Sequence, residues 1–150
     1  MWIRGYWGEL DAPMVLAFLV CEKLGIRSTI KFLVDTGSSK TIILDKDAER
    51  LNLDFSGLGK VGKKSVGVGG IVDTYFIPGI KLLFLADRGI HTETIDRVFA
   101  IKHEFEDKKT AEKMKKIPSL LGRDILDKYT LVISKKKKLV LITDKETGLD

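Results

Sequence analysis

The chain has 150 residues, of which 44% are hydrophobic and 31% charged. That length supports one domain with a proper core and is short for two, so residues 1–150 are read as a single domain. The composition excludes extended disorder, and the net charge of +5 is too mild to point to nucleic acid.

The longest apolar run, Pro13 to Cys21, falls far short of the ~20 residues that a membrane-spanning helix needs. Arg4, Glu9 and Asp11 precede it and no small-residue cleavage site follows, so it does not read as a secretion signal. A lone cysteine, Cys21, cannot form an internal disulfide, which points to a reducing, cytoplasmic compartment. In an apolar strand, Cys21 reads as a core residue and not as a nucleophile.

In chain order, Met1 to Trp7 carries two tryptophans and a tyrosine, an aromatic density suited to packing against a partner. Pro13 to Cys21 and Ser28 to Val34 read as strands joined by a turn near Lys23-Leu24-Gly25. Thr41 to Leu44 is a short apolar strand, and Asp45 is placed to cap a helix running through Leu51. Lys63 to Gly67 and Ile71 to Ile77 read as the arms of a glycine-tipped hairpin. Ile80 to Leu85 and Arg97 to Ile101 are further strands. Glu104 to Lys116 has early acids and late lysines, the polarity of a surface helix, and Pro118 ends it. Tyr129 to Ser134 and Leu139 to Thr143 pair across Lys135 to Lys138, a lysine run that reads as a solvated turn. The pattern is mostly β with two or three short helices, as in a small closed β-sandwich or barrel.

Three stretches carry chemistry. Phe32-Leu33-Val34-Asp35-Thr36-Gly37-Ser38-Ser39 delivers an acid from an apolar strand into a small-residue turn. A buried carboxylate is tolerated mainly where it is hydrogen-bonded, paired or chemically employed. Gly37 permits a sharp turn close to the acid, and Thr36, Ser38 and Ser39 supply short donors. The alternative for Asp35 is a turn acid that merely closes a strand end. Val72-Asp73-Thr74 repeats part of the pattern, but Tyr75 replaces the glycine. Between the motifs, Gly67, Val68, Gly69 and Gly70 form a glycine-rich tip that would also suit an ordinary tight hairpin. Downstream, Leu120-Leu121-Gly122-Arg123-Asp124 reads as a short strand, a glycine and a helical turn.

In that order, the three motifs resemble the retropepsin-like aspartic proteases, from about Pro13 to Leu141. The resemblance implies a closed barrel with a flap hairpin and a catalytic dyad of Asp35 from each subunit of a homodimer. It implies that Thr36 hydrogen-bonds across the dimer axis and that the Gly37 amide donates to Asp35. Ser38 would donate to the outer carboxylate oxygen. A donor to the ionised form lowers a carboxyl pKa, so an acidic activity range is expected. Gly67, Val68, Gly69 and Gly70 would close over an extended peptide substrate. Leu120, Leu121 and Gly122 would back the catalytic strand, with Arg123 and Asp124 opening the helix. In viral relatives the matching arginine pairs with an aspartate soon after Asp-Thr-Gly. Here Ser39 and Lys40 stand at those positions, so that ion pair is missing.

Two carboxylates and a water suffice for amide hydrolysis, so no cofactor is expected. His91 and His103 lack a nearby cluster of ligand partners, which leaves a metal site unsupported. A dimeric module that binds extended peptides without cutting them is the alternative within the same fold. A basic nucleic-acid-binding domain would rest only on net charge and Lys135 to Lys138, where no aromatic residues interleave. Nucleic acid and membrane are therefore not expected as partners.

Overall fold

The computed structural model describes residues 1–62, 65–67 and 70–146. Among them are twelve strands: β1 (Trp2–Arg4), β2 (Tyr6–Trp7), β3 (Pro13–Cys21), β4 (Ile26–Val34), β5 (Ile42–Ile43), β6 (Gly59–Lys60), β7 (Ser65–Gly67), β8 (Gly70–Ala86), β9 (Gly89–Glu104), β10 (Ser119–Leu121), β11 (Thr130–Ser134) and β12 (Leu139–Thr143). Three short helices accompany them: α1 (Asp45–Arg50), α2 (Lys108–Met114) and α3 (Arg123–Leu126).

Successive side chains of each strand point to opposite faces, so burial alternates along it. In β3, Val15, Ala17 and Leu19 are buried while Leu16 and Phe18 are exposed; in β4, Ile30, Phe32 and Val34 are buried. These strands pair antiparallel, β4 continues to β10, and the order runs on through β5, β9 and β8. β8 then pairs back to β3 through Phe18↔Leu83, Leu19↔Leu82 and Val20↔Lys81. Six strands thus close a barrel around Val15, Phe32, Leu82, Val98 and Leu121, all at most 1% exposed. Closure leaves no free edge in this ring. No helix among the described residues is long and apolar enough to cross a membrane.

Three expectations need correction. The segments read as Ile71 to Ile77 and Ile80 to Leu85 belong to one strand, β8, which passes Pro78 because Gly79 adopts φ +60°. β9 begins at Gly89, well before Arg97, because the inward positions of its first half include His91 and the buried Glu93. Polar residues there hide the alternation that marks a strand. Residues Glu104 to Glu106 lie outside the helix; α2 starts at Lys108, capped by the Asp107 carboxylate, which accepts from Thr110 N at 2.6 Å. The N-terminal strands also pair within the chain, while Trp2 and Tyr6 remain exposed. β1 pairs with β12 and β8, and β2 pairs with β3.

Candidate active site

Asp35 is the first residue beyond β4. Its backbone N–H donates to Leu121 O at 3.0 Å, which carries the parallel pairing of β4 with β10 one step past Leu121↔Val34. Val34 points into the core, so Asp35 points outward and is half-buried, beside the exposed Thr36 and Gly37. The Gly37 N–H donates to Asp35 Oδ1 at 2.9 Å, and Ser38 N–H donates to Asp35 O at 3.3 Å. A Cβ on Gly37 would sit 3.1 Å from that same Oδ1, so glycine lets the amide meet the acid closely. The Thr36 hydroxyl has no hydrogen-bond partner among the described residues, and Asp35 has no ion pair among them.

Ser38 departs from expectation. Its hydroxyl donates to Lys40 O at 2.7 Å and not to the Asp35 carboxylate. A hydroxyl has one proton to donate, so the acid receives none from this side chain. Arg123 finds a different partner from the missing acid: Nη1 donates to Thr36 O at 2.8 Å, and its backbone N–H donates to Ser38 O at 2.8 Å. The Asp35 turn is therefore braced by the downstream motif through backbone carbonyls.

Two further clasps hold the same loop. Asp124 accepts from Thr41 N at 3.0 Å and from Thr41 Oγ1 at 2.7 Å, while Thr41 Oγ1 accepts from Gly122 N at 3.1 Å. Thr41 is fully buried, so this network replaces its lost water contacts. Beneath it, the buried Asp47 accepts from Ser119 Oγ at 2.7 Å, and Ser119 Oγ accepts from Leu44 N at 3.0 Å. That ties α1 to β10. Asp45 does not cap α1; the N-cap is Leu44, and the Asp45 carboxylate instead takes the backbone N–H of His103 at 2.9 Å and its ring Nδ1.

Thr41 and the Asp47–Ser119 pair escaped the sequence reading because single hydroxyls and acids near strand ends carry no spacing signal. An apolar wall beside the acid was partly missed. Leu33, two residues before Asp35 on the same face, neighbours Leu120, and Leu120 neighbours Ile42, all three half-buried. Leu33 and Leu120 belong to the motifs read in sequence, whereas Ile42 gave no such signal.

The glycine-rich hairpin is present in its described part, with Ser65↔Val72, Val66↔Ile71 and Gly67↔Gly70 paired antiparallel. Val68 and Gly69, expected at its tip, lie outside the described residues. Asp73, in the incomplete repeat, is buried in β8 and paired with Lys60 Nζ at 3.1 Å. Among the described residues, no group of three or more His, Cys, Asp or Glu side chains could hold a metal ion.

A sequence model of the family described as aspartyl protease matches residues 23–125. Among solved structures, the chain is similar to a retropepsin-like aspartic protease from Rickettsia conorii, with 17% identity and a TM-score of 0.53, covering 95% of this chain and 90% of that one. It is also similar to EIAV protease complexed with the inhibitor HBY-793, with 19% identity and a TM-score of 0.41, covering 81% of this chain and 90% of that one. No curated protein matches the sequence. The Rickettsia likeness is one of fold, and it agrees with the closed barrel.

Proposed function

Since this chain belongs to the aspartyl protease family and has a retropepsin-like fold, we propose that it is an aspartic endopeptidase, active as a homodimer with Asp35 from each subunit. The observation that carries this reading is the turn from Asp35 to Ser38, which holds one carboxylate outward at an open face with the Thr36 hydroxyl unused beside it. One chain brings one such acid, and Asp73 is buried and already paired, so the second acid comes from a second copy.

Like charges a few ångströms apart do not both ionise, so the dyad shares one proton, a coupling for which aspartic proteases are the standing example. The ionised acid takes a proton from water while the oxygen attacks the scissile carbonyl carbon. The protonated acid gives its proton to the carbonyl oxygen, forming a tetrahedral diol. The dyad then gives its proton to the amide nitrogen, the C–N bond breaks, and a diol hydroxyl returns its proton to the dyad as the carbonyl re-forms, restoring the shared proton. The pair titrates as a unit.

An extended peptide would lie between the dyad and the hairpin of β7 and β8, pairing by its backbone. Gly67, Val68, Gly69 and Gly70 are the residues proposed to cover it. Leu33, Ile42 and Leu120 favour apolar side chains beside the scissile bond. The unit is residues 1–150, working in a reducing compartment with no cofactor. The brace from Arg123 to Thr36 O supports catalysis over mere peptide binding, because it supplies the support that the absent ion pair leaves open.

The test is cleavage of a random peptide pool from acidic to neutral pH, read by mass spectrometry, for the wild type and Asp35→Asn at equal concentration. Cutting that vanishes in the variant supports the proposal. A folded dimer that binds the pool and cuts nothing would make it a peptide-binding module.

A further inference from the structure

On the side of the barrel formed by β3, β4, β8 and β9, the register places bulky apolar side chains next to one another in the open. Phe18 lies opposite Leu83, Leu85 lies opposite Ile90, and Leu16 follows on the same face of β3. Leu85 is 77% and Ile90 62% exposed. With Arg4 and Thr29 they line a groove of about 480 Å³. Contiguous exposed apolar surface of this kind marks an interaction site more often than a bare wall.

The charges around the groove are mainly positive. Lys31 lies opposite Leu16, and Arg27 and Lys81 lie opposite Val20 from its two sides. Arg4 closes the end. None of these four forms an ion pair among the described residues. Across the face Thr29, Thr92 and Thr94 are uncharged, and Asp96, the next outward position after Thr94 on β9, adds one carboxylate, so cations outnumber acids along these strands. A second copy meeting this face with its own would set Arg4, Arg27, Lys31 and Lys81 against like charges, which is costly.

We propose that this face docks an acidic polypeptide segment, whose bulky apolar side chains fill the groove while flanking Asp and Glu pair with the basic rim. Apolar contacts supply the hold, and the cations supply steering and selectivity. The site is distinct from the dyad. Thr29 precedes Asp35 by six residues along β4, about 20 Å at roughly 3.3 Å per residue.

The full chain carrying Asp35→Asn, which cannot consume a probe, is titrated into a fluorescein-labelled peptide library composed of Leu, Phe and Glu. A control library has Lys in place of Glu. Binding of the Glu library alone is expected, falling about tenfold in Leu85→Glu and in Lys31→Glu/Lys81→Glu, and weakening with salt. Leu85→Glu in the otherwise unaltered chain is expected to leave cleavage of the random pool unchanged. Because Leu85 and both lysines are exposed, these variants keep the fold, and an unchanged melting temperature verifies it. The inference is overturned by no binding of the Glu library, by equal binding of the Lys library, or by binding that survives both variants. Tighter binding to vesicles of anionic lipid, or loss of self-association in Leu85→Glu, would also overturn it.

Discussion

Gly122 passes so close to Lys40 that a Cβ added to it would lie 2.3 Å from the Lys40 carbonyl oxygen and 2.4 Å from its carbon. No side chain fits between two backbones at that distance. The contact fixes how the downstream motif crosses the loop after Asp35. Gly122→Ala should therefore cost about 3 kcal/mol, the upper end for overpacking, and abolish cleavage by displacing the loop. Urea unfolding of the variant measures the first effect and peptide cleavage the second.

Thr41 is the hub of the same junction, bonded to Asp124 and Gly122 and shielded from water. Thr41→Val keeps the shape but strands the Gly122 N–H and one Asp124 oxygen, at a cost of roughly 2–3 kcal/mol. Thr41→Ser keeps the hydroxyl and should lose less than half of that. A denaturation series on the two variants separates the hydrogen bonds from the packing.

Ser38 offers a sharper discrimination. With its hydroxyl held by Lys40 O, Ser38→Ala removes no donor from Asp35, so the pH profile of cleavage should stay where it is. The loop loses one bond worth about 1 kcal/mol. An upward shift of the acidic limb in the variant would show that the hydroxyl turns to the carboxylate in the working dimer.

Glu93 gives the fold a pH signature away from the site. Burial pushes its carboxyl up, but hydrogen bonds from Tyr129, Lys128 and His91, with the charge of Lys128, outweigh it and hold the pKa below the usual value. Its contribution to stability is thus present above the ordinary carboxyl range near ~4.3 and lost as pH falls through the lower folded value. Tyr129 moves the other way, raised by burial, then by its bond to Glu93 and that residue's charge. Its contribution is present below about 10 and lost as pH rises past it. The stability difference between wild type and Glu93→Gln should therefore shrink below about pH 4, and that for Tyr129→Phe above about pH 10. Urea midpoints across that range provide the measurement.

The parts legible in sequence are those where local pattern and tertiary role agree. Pro13 to Cys21 was read with its final boundaries, because β3 is an unbroken apolar run that stops at Glu22. Leu139 to Thr143 was read likewise. Asp35 to Gly37 and Gly122 to Asp124 stood out because a glycine at each forces a close approach. The start of β9 was hidden because Glu93 lies inside with its own partners, and α2 was drawn too long because Glu104 extends a strand. The Ser38 and Asp45 side chains were assigned by their residue types, but each found a nearer partner, Lys40 O and His103. Such choices depend on what the fold brings within about 3 Å, which no local pattern encodes.

The most direct test of the central claim mixes wild-type chain with Asp35→Asn at fixed total concentration, after subunit exchange, and follows peptide cleavage. If each active site needs one Asp35 from each subunit, mixed dimers are inactive and activity falls as the square of the wild-type fraction, to about one quarter in an equal mixture. Activity that falls only in proportion, to about one half, would mean that each chain cuts alone and would contradict the shared dyad.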